Sequence, residues 1–389
     1  MQSPIHTSAT IKLCISIIAF TVLTLSGCGG GGGGGTTPNN TVQMGGARQG
    51  VPLNVNTAST FAGTPGGVGG AHDDSGAAAI FYYPQGLTSD GTNLYVADTY
   101  NHTIRKIVIA TAAVTTLAGF AGTPGVSGST NGTGNTARFW LPQALTTDGI
   151  NLYVADTNNH TIRKVVIATG QVTTLAGLAG TSGESDSTDG TGETARFDSP
   201  AGITTDNTNL YVSDSLNHTI RKVVIATGET TTFAGLADTP GFSNDVRELA
   251  TFNHPTSLTT DGSSLYVLDT GNHTIRKIAI GTGNVTLLAG MVGTQGALDG
   301  IGTSASFDTP EGITTDGANL FVVDNGSHII RKVVIATRAV TTIMGVEGKI
   351  GSANGIGALA TFNRPYGIAS DGTRLYVADT YNHTIRKIQ

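Results

Sequence analysis

The sequence predicts an all-β fold, a six-bladed β-propeller of four-stranded antiparallel blades, and three observations carry that prediction. Fourteen residues from Leu94 to Ile107, LYVADTYNHTIRKI, return from Leu152, Leu210, Leu265, Leu320 and Leu375. The Asp that closes each apolar run falls at Asp98, Asp156, Asp214, Asp269, Asp324 and Asp379, in steps of 58, 58, 55, 55 and 55 residues. A fixed period of that size means one supersecondary unit repeated. Each unit also reads as four short strand-forming runs separated by turn signals. Finally, the chain ends carry complementary fragments: Asn56 to Gly63, NTASTFAG, matches the fourth strand of a unit, and the last copy stops at Gln389 after its third. A closed ring uses both fragments, with the N-terminal strand completing the last blade, whereas an open solenoid leaves two ragged edges.

Residues 1–27 read as a secretion signal, with Lys12 supplying positive charge and Ile15 to Leu25 an apolar core short for a bilayer span. The segment ends in Leu25-Ser26-Gly27-Cys28, which resembles the bacterial lipobox. That resemblance implies cleavage before Cys28 and diacylglycerol on its thiol, a stable anchor without a transmembrane helix. Gly29 rather than Asp after the Cys implies the outer membrane of a bacterial envelope. Cys14 leaves with the signal, so the mature domain has no free thiol, and disulfides, cysteine zinc sites and cysteine nucleophiles are excluded. Residues 28–55, opening on the glycine run Gly29 to Gly35, read as a flexible tether, and residues 56–389 as the propeller.

In the second unit, Gln143 to Thr147 runs from Pro142 to the turn Asp148-Gly149, and Asn151 to Ala155 is an apolar run ending at Asp156. Asn158-Asn159 turns, His160 to Ala168 is rich in Ile and Val, Thr169-Gly170 turns again, and Gln171 to Ala176 closes the meander. Runs apolar on both alternating faces need cover on both sides, which neighbouring units supply. Gly-rich connections end in Ala-x-Phe-x-x-Pro, and the recurring Phe81, Phe139, Phe197, Phe252, Phe307 and Phe362 are placed to wedge between sheets.

The succession P-x-G-[IL], LYVAD and N-H-x-I-R-K resembles the NHL repeat, and the likeness spans roughly Asn56 to Gln389. It implies a six-bladed propeller. The fifth copy departs from the pattern, reading Asn325-Gly326-Ser327-His328-Ile329.

Charge and composition narrow the function. A net charge of −6 and pI near 5.8 give no basic stripe for phosphates, so no nucleic-acid partner is expected. The six His of the repeat, His102 to His383, each follow an Asp by four residues, but one Asp and one His per blade leave a metal site unfilled. They read instead as turns in which Asp accepts backbone N–H bonds and Asn takes a left-handed φ. The Arg-Lys pairs are expected to lay their stems on apolar surface with their heads in water or on the turn carboxylates. The Asp-Gly pieces of the connections, such as Asp189 to Gly192 and Asp299 to Gly302, lack full calcium-loop spacing and read as turns.

The aspartates ending the first strands, Asp90, Asp148, Asp206, Asp261, Asp316 and Asp371, offer an alternative divalent-cation site at the channel; as turn residues they need no cofactor. Enzymes occur among propellers similar to this one, yet the inner strands read as featureless before that Asp, and no catalytic residue is assigned. Symmetry breaks just before those strands. Tyr83, Gln85, Trp140, Gln143, His254, Glu311, Arg364 and Tyr366 are expected to ring one mouth of the channel, a mixed rim suited to a peptide, glycan or protein partner. The sequence therefore points to a monomeric, membrane-anchored binding or scaffold module, with a metal-assisted hydrolase or lyase as the alternative.

Overall fold

Six antiparallel sheets stand in sequence around an axis in the computed structural model, which describes Leu53 and residues 55–120, 127–180 and 187–389. Cys28, with residues 1–52, lies outside the described residues. Blade 1 comprises Pro84–Ser89, Asn93–Asp98, Thr103–Val108 and Ala113–Ala118; blade 2 comprises Pro142–Thr147, Asn151–Asp156, Thr161–Val166 and Gln171–Ala176. Blades 3, 4 and 5 begin with Pro200–Thr205, Pro255–Thr260 and Pro310–Thr315. Blade 6 takes Ile368–Ser370, Leu375–Asp379 and Thr384–Ile388 from the C-terminus and Thr57–Ala62 from the N-terminus, paired so that Ser59 faces Lys387. The ring closes as the chain ends predict.

Four blades carry a fifth, two-residue strand that the sequence does not announce, for example Gly132–Thr133 beside Gln171–Ala176. The connection runs along the outer edge and hydrogen-bonds to it, covering an edge that would otherwise be open.

The core lies between blades rather than within them. Tyr95, Ala97 and Ile104 of blade 1 pack with Phe139, Leu152, Val154 and Val165 of blade 2 in one buried cluster, and the other clusters repeat the arrangement. Both faces of each sheet are thus buried, as the unbroken apolar runs require.

At the end of each first strand the Asp-Gly turn is tied internally. Asp148 accepts the N–H groups of Ile150 and Asn151 and the hydroxyl of Tyr153 from the second strand. Blade 5 has Phe321 where the others have Tyr, and Asp316 there accepts the N–H of Leu53 at 3.1 Å instead. The chain thus enters at the Asp-Gly end of blade 5.

Glycine follows Pro-x on four of the six inner strands, with Ala144 and Ser257 in blades 2 and 4, and neighbouring strands approach closely at the glycines. A Cβ on Gly86 would stand 2.5 Å from the Gln143 carbonyl oxygen of blade 2, and one on Gly367 would stand 2.1 Å from that of Gln85. Side chains are excluded there so that neighbouring strands can meet.

Candidate ligand-binding mouth and channel

The D-x-x-N-H turn, which follows the second strand at the end away from Asp-Gly, is the joint of the ring. The imidazole Nδ1 of His102 accepts the N–H of Leu141 in the next blade at 3.1 Å. All six histidines make this bond, at 3.0–3.3 Å, and His383 closes the circle onto Tyr83. Each His, not the preceding Asn, takes the left-handed conformation, with φ of 56–61°, which corrects the turn reading. A side-chain acceptor here needs neutral imidazole, and burial pushes all six histidines below their ordinary pKa.

A second bond joins the same blades. The Thr99 hydroxyl donates to the Pro142 carbonyl at 2.8 Å, Thr157, Thr270 and Thr380 do likewise, and Asn325 of the divergent fifth turn substitutes its amide at 2.7 Å.

The Asp of this turn is buried and fully engaged. Asp98 accepts from the Tyr82 N–H, the Asn101 amide and Arg105 Nη1, the last at 2.7 Å. Arg105 is itself wholly buried, with its guanidinium 5.1 Å from the centre of the Phe81 ring and Nη2 on Asp73. Of the two expected placements the Arg heads take the turn carboxylates and not water: all six are 0 % exposed, and only the adjacent Lys reaches the surface. The Asp-Gly pieces that faintly resemble calcium loops supply the second partner, as in Asp189 to Arg221 and Asp299 to Arg331. Burial raises the Asp156, Asp214 and Asp379 carboxyls to about 6 against the pull of their Arg partners and amide donors, leaving them anionic at neutral pH.

These joints hold the mouth residues in place. Tyr83, Leu141, Ser199, His254, Thr309 and Arg364 all precede a proline with φ of 43–53°, a region unfavourable to each. The N–H on the preceding blade's imidazole holds that conformation and aims the side chain.

Around the mouth the blades then differ. Tyr83 stacks on Tyr82, Tyr100, Tyr381 and His383 with ring centres 4.5–5.1 Å apart, and Arg364 lies 5.9 Å from the Tyr381 ring. Tyr100, Tyr381 and Trp140 are 44 %, 50 % and 40 % exposed. Tyr100 and Tyr381, from the turn position between Asp and Asn, belong to this cluster, although the motif around them drew all the attention in the sequence. On the far side, blades 4 and 5 have Gly271 and Gly326 at that turn position. A Cβ there would meet the Asn253 side chain at 2.7 Å and the Asp308 carboxyl at 2.4 Å. His254 packs edge-on against His218 at 4.5 Å and meets Asn253 at 2.8 Å.

Four of the predicted residues leave the rim for the channel. Gln85, Gln143, Glu311 and Tyr366 are the second residue of Pro-x-Gly or its equivalent, and the observed inner strands of blades 1 to 5 begin at the Pro, so the inner strands are not featureless. Gln143, Glu311 and Tyr366 line a cavity of about 60 Å³ floored by Leu87, Leu145, Ile203, Leu258, Ile313 and Ile368, one aliphatic side chain from each blade. Burial lifts the Glu311 carboxyl to about 7, against the pull of the Tyr366 hydroxyl beside it. The six channel-end aspartates are held by their own hairpins, Asp316 also by the Leu53 N–H, and no group of three or more potential metal ligands occurs among the described residues.

The fold and motif define a class, a six-bladed propeller built from a repeated N-H-x-I-R-K hairpin. Residues 81–107 match the family model described as NHL repeat. NHL repeat-containing protein 2 of Homo sapiens is 28% identical over 292 residues, which cover 67% of this chain and 40% of that protein. The chain spans 26–47% of the length of the curated relatives it matches. Two solved structures from Bacteroides thetaiotaomicron share the fold. One, described as a structural genomics protein of unknown function, has a TM-score of 0.66 at 22% identity and covers 86% of this chain and 75% of its own. The other, described as an auxiliary nutrient binding protein, has a TM-score of 0.64 at 16% identity over 86% and 76%. Together the family match, the repeat-bearing relatives and the six blades support an NHL-repeat β-propeller.

Proposed function

We propose that the protein is a non-catalytic binding module, lipid-anchored to the bacterial outer membrane through Cys28, and that its mouth takes an oligosaccharide. The observation that carries this reading is the aromatic cluster of Tyr82, Tyr83, Tyr100 and Tyr381, facing amide, carboxyl and imidazole groups across the same opening. Sugar rings pair apolar faces with equatorial hydroxyls, and stacked aromatics with polar acceptors complement both. A fold shared with an auxiliary nutrient binding protein is consistent with it. Leu53 enters at the Asp-Gly end of blade 5.

A glycan array probed with the full chain tests the reading. Saturable binding to a saccharide class, lost in Tyr83→Ala and Tyr381→Ala, is expected; no binding, or binding unchanged in both variants, contradicts it. For the anchor, the Cys28→Ala chain should move from the membrane to the soluble fraction and lose incorporated lipid label.

A further inference from the structure

Glu311 differs from the seam aspartates. The six seam aspartates each have an arginine within 3.1 Å, whereas no cationic side chain lines the channel cavity around Glu311. Blade 4 presents Thr256 and Ser257 to that region and blade 6 presents Tyr366, the one other titratable group in the lining. Proton accounting leaves Glu311 poorly served. The Thr270 hydroxyl gives its proton to the Pro310 carbonyl at 2.7 Å, so its 2.6 Å contact with Thr256 takes the proton of Thr256. Tyr366 remains as the hydroxyl with a proton to give. Glu311 Oε2 is buried without a partner, and so is Gln85 Oε1 two blades round the ring. Both orphaned atoms are acceptors, and buried acceptors without donors are costly.

We propose that the channel is a binding site for a primary ammonium group, the free amine or the tip of a larger ligand, with Glu311 as its counter-charge. An ammonium carries positive charge and three N–H donors. At roughly 10–15 Å³ per water, a cavity of about 60 Å³ holds only a few water-sized groups, enough for a small amine head and too little for a sugar ring. The aliphatic floor excludes water beneath it, which strengthens the pairing. The site lies below the mouth and does not depend on what the mouth binds. Because burial holds the Glu311 carboxyl near 7, an arriving ammonium at slightly acid pH displaces its proton.

Calorimetric titration of the full chain with methylammonium chloride, in two buffers of different ionisation enthalpy, tests this directly. Saturable binding with proton release at pH 6.5 is expected, tighter at pH 8, with tetramethylammonium at least tenfold weaker and Glu311→Gln losing both binding and proton release. Equal response to tetramethylammonium or sodium, or unchanged binding by Glu311→Gln, overturns the proposal. Tyr83→Ala should bind methylammonium as the native chain does, so loss of glycan binding and loss of amine binding are read separately.

Discussion

Two kinds of residue alternate within a single turn, and they follow opposite rules. In blade 1 Asp98, Asn101 and His102 are buried and committed to protein partners, while Tyr100 between them is 44 % exposed with its ring on the mouth cluster. The committed Asp and His repeat in every blade and the Asn in all but blade 5, where Ser327 stands; the intervening position reads Tyr100, Asn158, Leu216, Gly271, Gly326 and Tyr381. Where the partner is another copy of the same unit, one solution serves six times. Where the partner comes from outside the ring, the copies are free to differ, and here they divide into an aromatic half and a polar half.

The sharpest way to break this contrast is at a seam. Arg163→Met leaves the buried carboxyl of Asp156 without its counter-charge, and about 3–5 kcal/mol of stability should be lost. Tyr381→Ala at the mouth should change thermal unfolding little. Comparable losses in the two variants would erase the distinction between seam and mouth.

Glu311 shifts in the same direction as the seam aspartates but has no cation beside it. Its carboxyl is raised from 4.5 to about 7, so the native state holds the proton more tightly than the unfolded chain. Its contribution is therefore present at low pH and lost as pH rises through about 7. Glu311→Gln escapes that loss, and at pH 8 it should exceed the native chain by roughly 2–3 kcal/mol, a margin that vanishes near pH 4. Denaturant unfolding across that range reads the effect.

The histidine bonds carry the reverse sign. His102 is pushed below its ordinary 6.5, so its stabilisation is complete above that value and is lost as pH falls. His102→Phe removes the acceptor for Leu141 and should cost about 1–3 kcal/mol at pH 7.5. The gap from the native chain should narrow in acid, where the native imidazole also ceases to accept. A gap independent of pH would mean the ring packs rather than bonds.

The smallest effect concerns a residue the repeat keeps without evident bonding. Thr103, Thr161, Thr274 and Thr384 bury hydroxyls that have no partner, and blade 5 already has Ile329 at that position. Thr103→Val should therefore be neutral or stabilising by up to about 1 kcal/mol in thermal unfolding.

Blade number, strand order and ring closure are legible in the sequence because period, turn residues and chain ends all report the same unit. The wedge role of the Phe residues is legible too, since a large apolar side chain at a fixed place in a polar connection has nowhere else to go. The seam chemistry was hidden because its partners lie far apart. His102 meets Leu141 39 residues on, and Arg105 meets Asp73 32 residues back. That the Arg heads meet the turn carboxylates is legible as one of two placements; their complete burial is not, because the second partner comes from a distant connection. Glu311 is legible as one of the unlike residues beside the proline but not as a channel residue, because the cavity it lines is built by all six blades.

The single tryptophan of the chain, Trp140, stands at the mouth and is 40 % exposed, so its fluorescence reports that opening without a label. Titrating the full chain with oligosaccharides while recording Trp140 emission tests most directly whether the unlike residues serve an outside partner. A saturable change with one saccharide class, abolished by Tyr83→Ala and preserved in Thr103→Val, is the predicted result. Emission indifferent to every saccharide, in a chain whose unfolding shows the ring intact, would contradict the account.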